Sequence, residues 1–202
     1  VPAEKWLPAP LASDGFGAWG TTDGLGHAEG VAGGLGAGGS GLAWTPQVGT
    51  WQAVGGAAKA SALTSSVAIA TVDTGKADVI ASVRFTRGSG NGSVLVRVVD
   101  STNWVRGSHD GTSAYLVKNV AGSQTTLIGV TTTYVAGAEI RVVCEGQKFR
   151  LYYNDALVGA EQTIADAALQ SGTKQGLRTS STSDAFDDFV VYSRGSGGEY
   201  AA

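Results

Sequence analysis

Strict two-residue alternation of apolar and polar side chains, cut at short intervals by turn residues, governs most of this chain. In 77–86 (ADVIASVRFT), Val79, Ala81, Val83 and Phe85 alternate with Ile80, Ser82, Arg84 and Thr86. The same period recurs in SVLVRVVD, AYLVKNV, EIRVVCEG, KFRLYYN and FDDFVVYS. Successive side chains of a strand point to opposite faces, so this period is that of half-buried strands rather than helices. Turn signals lie between the runs: 88–93 (GSGNGS), Asp110-Gly111, 121–123 (AGS) and Asn154-Asp155. Asp110-Gly111 and Asn154-Asp155 suit the positive φ of tight hairpins. About a dozen short strands at this spacing predict an all-β sandwich or closed barrel. Val98 with Val99, and Phe189 with Val190, place apolar residues on both faces, which predicts stacked, curved sheets with a partly covered second face. The one helix predicted, over 164–169 (IADAAL), is too short to change the class.

The first forty residues read differently. Pro2, Pro8 and Pro10 fix φ and remove backbone donors, so 1–11 is predicted to be an extended arm. Trp6, Leu7 and Leu11 are costly to leave in water, and they are the candidates for docking on a partner. Glycine then crowds 15–43, with no fixed Gly-X-Y period and no strand–helix frame for a phosphate loop. This stretch is predicted to be a long loop inserted near the start of a sandwich spanning 12–194, with 195–202 as a flexible tail. Ordering such a leader costs about 1–2 kcal/mol per residue in backbone entropy, so it is predicted to gain its order by contact with another molecule.

Charge excludes several partners. Of the 202 residues only 15% are charged, and the formal net charge is −3. Such a chain lacks the cationic footprint of a nucleic-acid binder. No apolar run approaches the ~20 residues of a membrane-spanning helix, so no membrane insertion is expected. Cys144 is the single cysteine. It can form no intrachain disulfide, and its alternating strand predicts a buried thiol. The N-terminus lacks the basic-then-apolar order of a secretory signal. Val1 in the place of a Met is compatible with a GTG start or with a processed or partial product.

The order of features resembles the concanavalin A-like (laminin G-like) jelly roll over roughly 13–193. Ser13-Asp14-Gly15-Phe16 is similar to that family's opening element, and Phe186-Asp187-Asp188-Phe189-Val190-Val191 to its closing strand. The stretch 98–104 with Asp110-Gly111 and 115–118 is similar to its central hairpin. The stretch 148–157 (KFRLYYNDAL) is similar to a second hairpin, and 175–178 (QGLR) to its penultimate strand. Thr22-Asp23-Gly24-Leu25-Gly26, 41–44 (GLAW) and Gly49-Thr50-Trp51 resemble phrases in virion proteins of actinobacterial phages, especially minor tail proteins.

The resemblance implies first and last strands that pair. It would bring Asp14 near Asp187 or Asp188, where a structural Ca2+ could sit; no other cofactor is implied. Strand alternation would let only one of the two join Asp14. Catalysis is not expected. A glycosidase needs two carboxylates roughly 5–9.5 Å apart across a cleft, whereas Glu139 and Glu145 share a strand face with no third acid between them. His109-Asp110 lacks a nucleophile and reads as a solvated hairpin. Sugar binding needs aromatic platforms beside polar groups, and the candidates are Trp51, Trp104, Tyr115, Tyr134, Tyr152 and Tyr153. The best cluster is Asn103, Trp104 and Arg106, with Tyr115. The expectation is a non-enzymatic phage virion structural protein, a minor tail (tail-tip) protein whose outward jelly roll binds host-surface glycan. Its other partners would be virion proteins, in an oligomeric assembly at the virion exterior. A capsid decoration protein and a secreted carbohydrate-binding module are the alternatives.

Overall fold

The computed structural model describes residues 10–14 and 42–194. Its early strands are β1 (Ala12–Asp14), β2 (Thr45–Val48), β3 (Thr50–Val54), β4 (Ala57–Ala62) and β5 (Ala68–Asp73). The middle of the chain forms β6 (Val79–Thr86), β7 (Gly92–Asp100), β8 (Asn103–His109), β9 (Ser113–Val120) and β10 (Ser123–Thr131). Then come β11 (Ala138–Glu145), β12 (Lys148–Tyr153), β13 (Ala156–Thr163), the single-turn helix α1 (Ala167–Gln170), β14 (Lys174–Thr179) and β15 (Ala185–Ser193).

All pairings are antiparallel and make two sheets. One runs β13-β12-β11-β6-β15-β4-β3 with β1 added on β15; the other runs β10-β9-β8-β7-β14-β5-β2. Together they form an all-β jelly-roll sandwich. Local chemistry sets the hairpins. Asn154 and Asp155 take φ of +48° and +64° between β12 and β13, and Ala121 and Gly122 take +50° and +82° between β9 and β10. Two consecutive left-handed residues match the right-handed twist of the flanking strands.

Between the sheets lies one continuous core. Trp51, Phe85, Phe149, Phe186 and Phe189 are fully buried in it with Leu116, Ile140, Leu151 and Leu177. Phe186 stacks on Phe85 at 5.4 Å and tilts toward Trp51 at 5.9 Å. Cys144 is buried here as expected, its thiol donating to the Ala77 carbonyl at 3.3 Å. Burial pushes that thiol's pKa up to about 11. The helix is shorter than predicted, and Ile164 and Leu169 both turn into the core.

At its N-terminal end the described chain corrects the docking expectation. β4 meets β15 only at Phe186, which leaves the rest of that β15 edge unpaired. An open edge invites a strand, and β1 fills it, with Ala12 opposite Val191 and Asp14 opposite Phe189. The Leu11 amide donates to the Val191 carbonyl at 2.7 Å, and the Leu11 and Leu42 side chains pack on the core. Leu11 is therefore held by its own sandwich rather than offered to a partner. Trp6 and Leu7 lie outside the described residues.

Candidate functional site

The outer face of the β10-to-β2 sheet concentrates the unusual chemistry. Alternation fixes which residues reach it. A Cβ added at Gly107 would meet Val142 and Leu151 of the opposite sheet, and one at Gly92 would meet Phe85. Those two positions thus face the core. Trp104, Arg106 and Ser108, and likewise Ser93 and Leu95, face away from it. Cross-strand register then assembles two rows. One runs Ile69, Arg178, Ser93, Ser108, Tyr115; the next runs Thr71, Gly176, Leu95, Arg106, Val117.

A bulge gives this face an apolar floor. Arg97 adopts φ +53°, and the extra residue breaks the alternation of β7. Val98 therefore joins Leu95 on the outside, and with Ile69 and Trp104 they form a second small hydrophobic cluster, edged by Val48. Arg97 is turned the other way, into an ion pair with Asp78 and hydrogen bonds to the Gln170 and Gly146 carbonyls.

Two guanidinium groups lie on that floor. The Arg106 carbon Cζ is 5.8 Å from the Trp104 ring centre and that of Arg178 is 5.7 Å. Arg106 is only 9% exposed and Arg178 only 8%. Neither has a carboxylate partner among the described residues. Arg106 donates to Ser93 Oγ at 3.4 Å, a long contact. Its Nε, Ser108 Oγ and Asn119 Oδ1 are buried without any hydrogen-bond partner among the described residues. Burial, and then the charge of Arg178, pull the pKa of Arg106 down to about 9. Burial also lowers that of Arg178. Because Arg stays charged at neutral pH, the shift describes a cost that the fold carries. The helix α1 meets β7 and β8 of this sheet and buries Leu169 in the core between the sheets.

The predicted site residues are placed unevenly. Trp104 and Arg106 are adjacent on the face, but Trp104 is 2% exposed, its indole packed against both guanidiniums. It is no open platform for a sugar ring. Asn103 is committed to a turn: its amide nitrogen donates to both Asp100 oxygens, and its oxygen accepts from the Ala121 amide. Tyr115 stands at the row's end, its hydroxyl donating to Asp110 at 2.9 Å. Trp51 is core. Tyr134 and Tyr153 bond backbone amides at Arg87 and Val135. Tyr152 packs against Arg141 at 5.0 Å. His109, expected in a solvated hairpin, is fully buried beneath Tyr153 at 4.4 Å, because β8 extends through it and its parity points inward.

Among the described residues, no calcium site gathers around Asp187 or Asp188. Asp188 sits at φ +47° in a bulge of β15 and is ion-paired with Arg84 at 3.0 Å. Asp187 accepts the Asp188 amide. That bulge also removes the simple alternation by which one Asp would join Asp14. Among the described residues no three Asp, Glu, His or Cys side chains gather. Glu139 and Glu145 are each bound to an arginine, Arg141 and Arg194.

Sequence reasoning missed Arg178, Ser93, Ser108 and Asn119. The signal for Arg178 was present: Gly176 and Arg178 share the parity opposite to Leu177.

No family model matches the sequence, and no curated protein is significantly similar to it. Solved structures are similar in shape. A carbohydrate binding module, CBM66 from Bacillus subtilis, matches with TM-score 0.61 at 18% identity, over 74% of this chain and 95% of that one. The Bacillus licheniformis beta-glucanase matches with TM-score 0.53 at 14% identity, over 91% and 97%. The GH43 protein BlXynB from the same organism gives 0.56 at 15%, over 96% of this chain and 41% of that one. At such identities the likeness establishes the jelly-roll fold alone.

Proposed function

We propose that this chain is a non-catalytic carbohydrate-binding module whose ligand lies on the outer face of the β10-to-β2 sheet. The observation that carries the reading is the set of unsatisfied polar atoms on that face. Arg106 Nε, Ser108 Oγ and Asn119 Oδ1 stand unpartnered around an apolar floor. A buried polar atom without a partner is costly, and a ligand rich in hydroxyls would satisfy all three. Apolar lining with a few convergent polar groups is the ordinary make-up of a small-ligand site. That a carbohydrate binding module shares the fold is compatible with this reading.

The rows of that face support a binding rather than a hydrolytic role, since their central positions hold no Asp or Glu. Asp73 stands at one end opposite Lys174, and Asp110 is consumed by its own turn. The finer placement belongs to the same proposal: a module on a phage virion, at the tail tip, contacting other virion proteins and a host-surface glycan. Its support is the resemblance of 22–26, 41–44 and 49–51 to tail-protein phrases. Copy number per particle separates this placement, a handful, from a capsid decoration role, hundreds.

Glycan-array screening followed by titration calorimetry tests the carbohydrate reading. The full chain is expected to retain a defined subset of glycans. Ser108→Ala should weaken that binding by about three- to tenfold. It should leave the melting temperature no lower, because the hydroxyl has no protein partner to lose. Retention of no glycan would overturn the reading, and release of sugar from any retained glycan would overturn its non-catalytic part.

A further inference from the structure

We propose that the ligand of this face is an anionic saccharide, its oxyanion (a carboxylate, sulfate or phosphate ester) taken between Arg106 and Arg178. The inference rests on the carbohydrate reading of the same face and names the charge of the sugar. Two guanidiniums, each at least nine-tenths buried, lie against one indole. Ten N–H donors are thereby brought onto one patch, and among the described residues their one hydrogen bond is the long contact to Ser93 Oγ. Like charges held close in a poorly solvated place repel, and a fold keeps such a pair at a cost unless an anion relieves it. Arginine's planar fork matches oxyanions in two-point geometry.

The alternatives are weaker. A structural role would give each guanidinium a carboxylate or a ring of carbonyls, as Arg97 has in Asp78, Gly146 and Gln170 on the inner side. A nucleic acid would need a track of cations. Besides the two arginines, only Lys174 stands on these strand rows, and it faces Asp73 across the strands.

Calorimetry on the full chain compares four probes: an oligogalacturonate, a sulfated glycosaminoglycan fragment, a glycerol-phosphate polymer and a neutral β-glucan oligomer. At least one anionic probe is expected to bind about tenfold or more tightly than the neutral one. That binding should weaken as salt rises. The tightest of the three identifies the oxyanion. Arg106→Met and Arg178→Met should each lose roughly tenfold for that probe and melt no lower than the parent, since each removes an uncompensated buried charge. Equal or tighter binding of the neutral oligomer, untouched by either substitution, would overturn the anionic inference and leave the carbohydrate reading standing. Binding of none of the four, with an empty glycan array, would overturn both. A lower melting temperature in Arg178→Met with unchanged anion binding would show a structural guanidinium and likewise overturn the inference.

Discussion

Asp110 shows how one residue can be used up by its surroundings. Its Oδ1 accepts the Thr112 amide at 2.8 Å, the Thr112 hydroxyl at 2.8 Å and the Ser113 amide at 2.9 Å, while Oδ2 accepts the Tyr115 hydroxyl. Burial works against the charged carboxylate, yet these hydrogen bonds outweigh it and hold the pKa at about 2. A carboxylate whose folded pKa lies below the unfolded value of 3.8 stabilises the fold fully above that pH, and the contribution fades as pH falls through about 2. Chemical denaturation of the parent and of Asp110→Asn should therefore show the parent more stable at pH 6 and the two converging between pH 4 and pH 2. A constant gap across that range would refute this account. The bond to Asp110 makes Tyr115 a turn group in the fold, as the bonds to Asp100 and the Ala121 amide do for Asn103. Residue type was legible, but the partner of each polar atom was not.

Among the elements, β7 and the loops at its ends do the most to build the face. The bulge at Arg97 inverts parity within one strand, putting Leu95 and Val98 on the same side. At the other end, Asp184 is fully buried and accepts the Gly88, Ser89 and Gly90 amides at 2.8, 3.3 and 3.1 Å, with the Thr179 hydroxyl at 2.6 Å. That carboxylate pins the loop before β7 to the turn between β14 and β15. The approach is close enough that a Cβ at Gly88 or Gly90 would overlap Ser183, Ser181 or Asp184, which accounts for glycine at both. Asp184→Ala strands buried donors and should cost about 3 kcal/mol in denaturant unfolding. A loss under about 1 kcal/mol would mean that the loop repacks freely. Of these elements the alternating strands, the Asn154-Asp155 turn and the Gly-rich 88–93 turn were readable in sequence. The bulge was not, since a positive φ at an arginine follows from what its guanidinium finds across the sandwich rather than from the neighbouring residues.

For the whole molecule, the closure of the β15 edge by β1 is the contact that only the complete arrangement supplies. A chain lacking 1–14 should melt several degrees below one lacking only 1–9, because it loses the β1 pairing and the burial of Leu11 and Ala12, together about 2 kcal/mol. Equal melting temperatures would show β1 to be dispensable. Alternation, turn chemistry and composition by themselves determined an all-β chain of short antiparallel strands, an interior Cys144 and a net charge of −3, because each of these depends on neighbours in sequence or on simple totals. Which face of which sheet holds two arginines around Trp104, with no carboxylate partner among the described residues, was decided by the tertiary structure alone. Arg106 and Arg178 stand 72 residues apart in sequence and come onto one indole only through the order β8-β7-β14. That pairing of two buried guanidiniums on one ring exists only once the sheets are assembled.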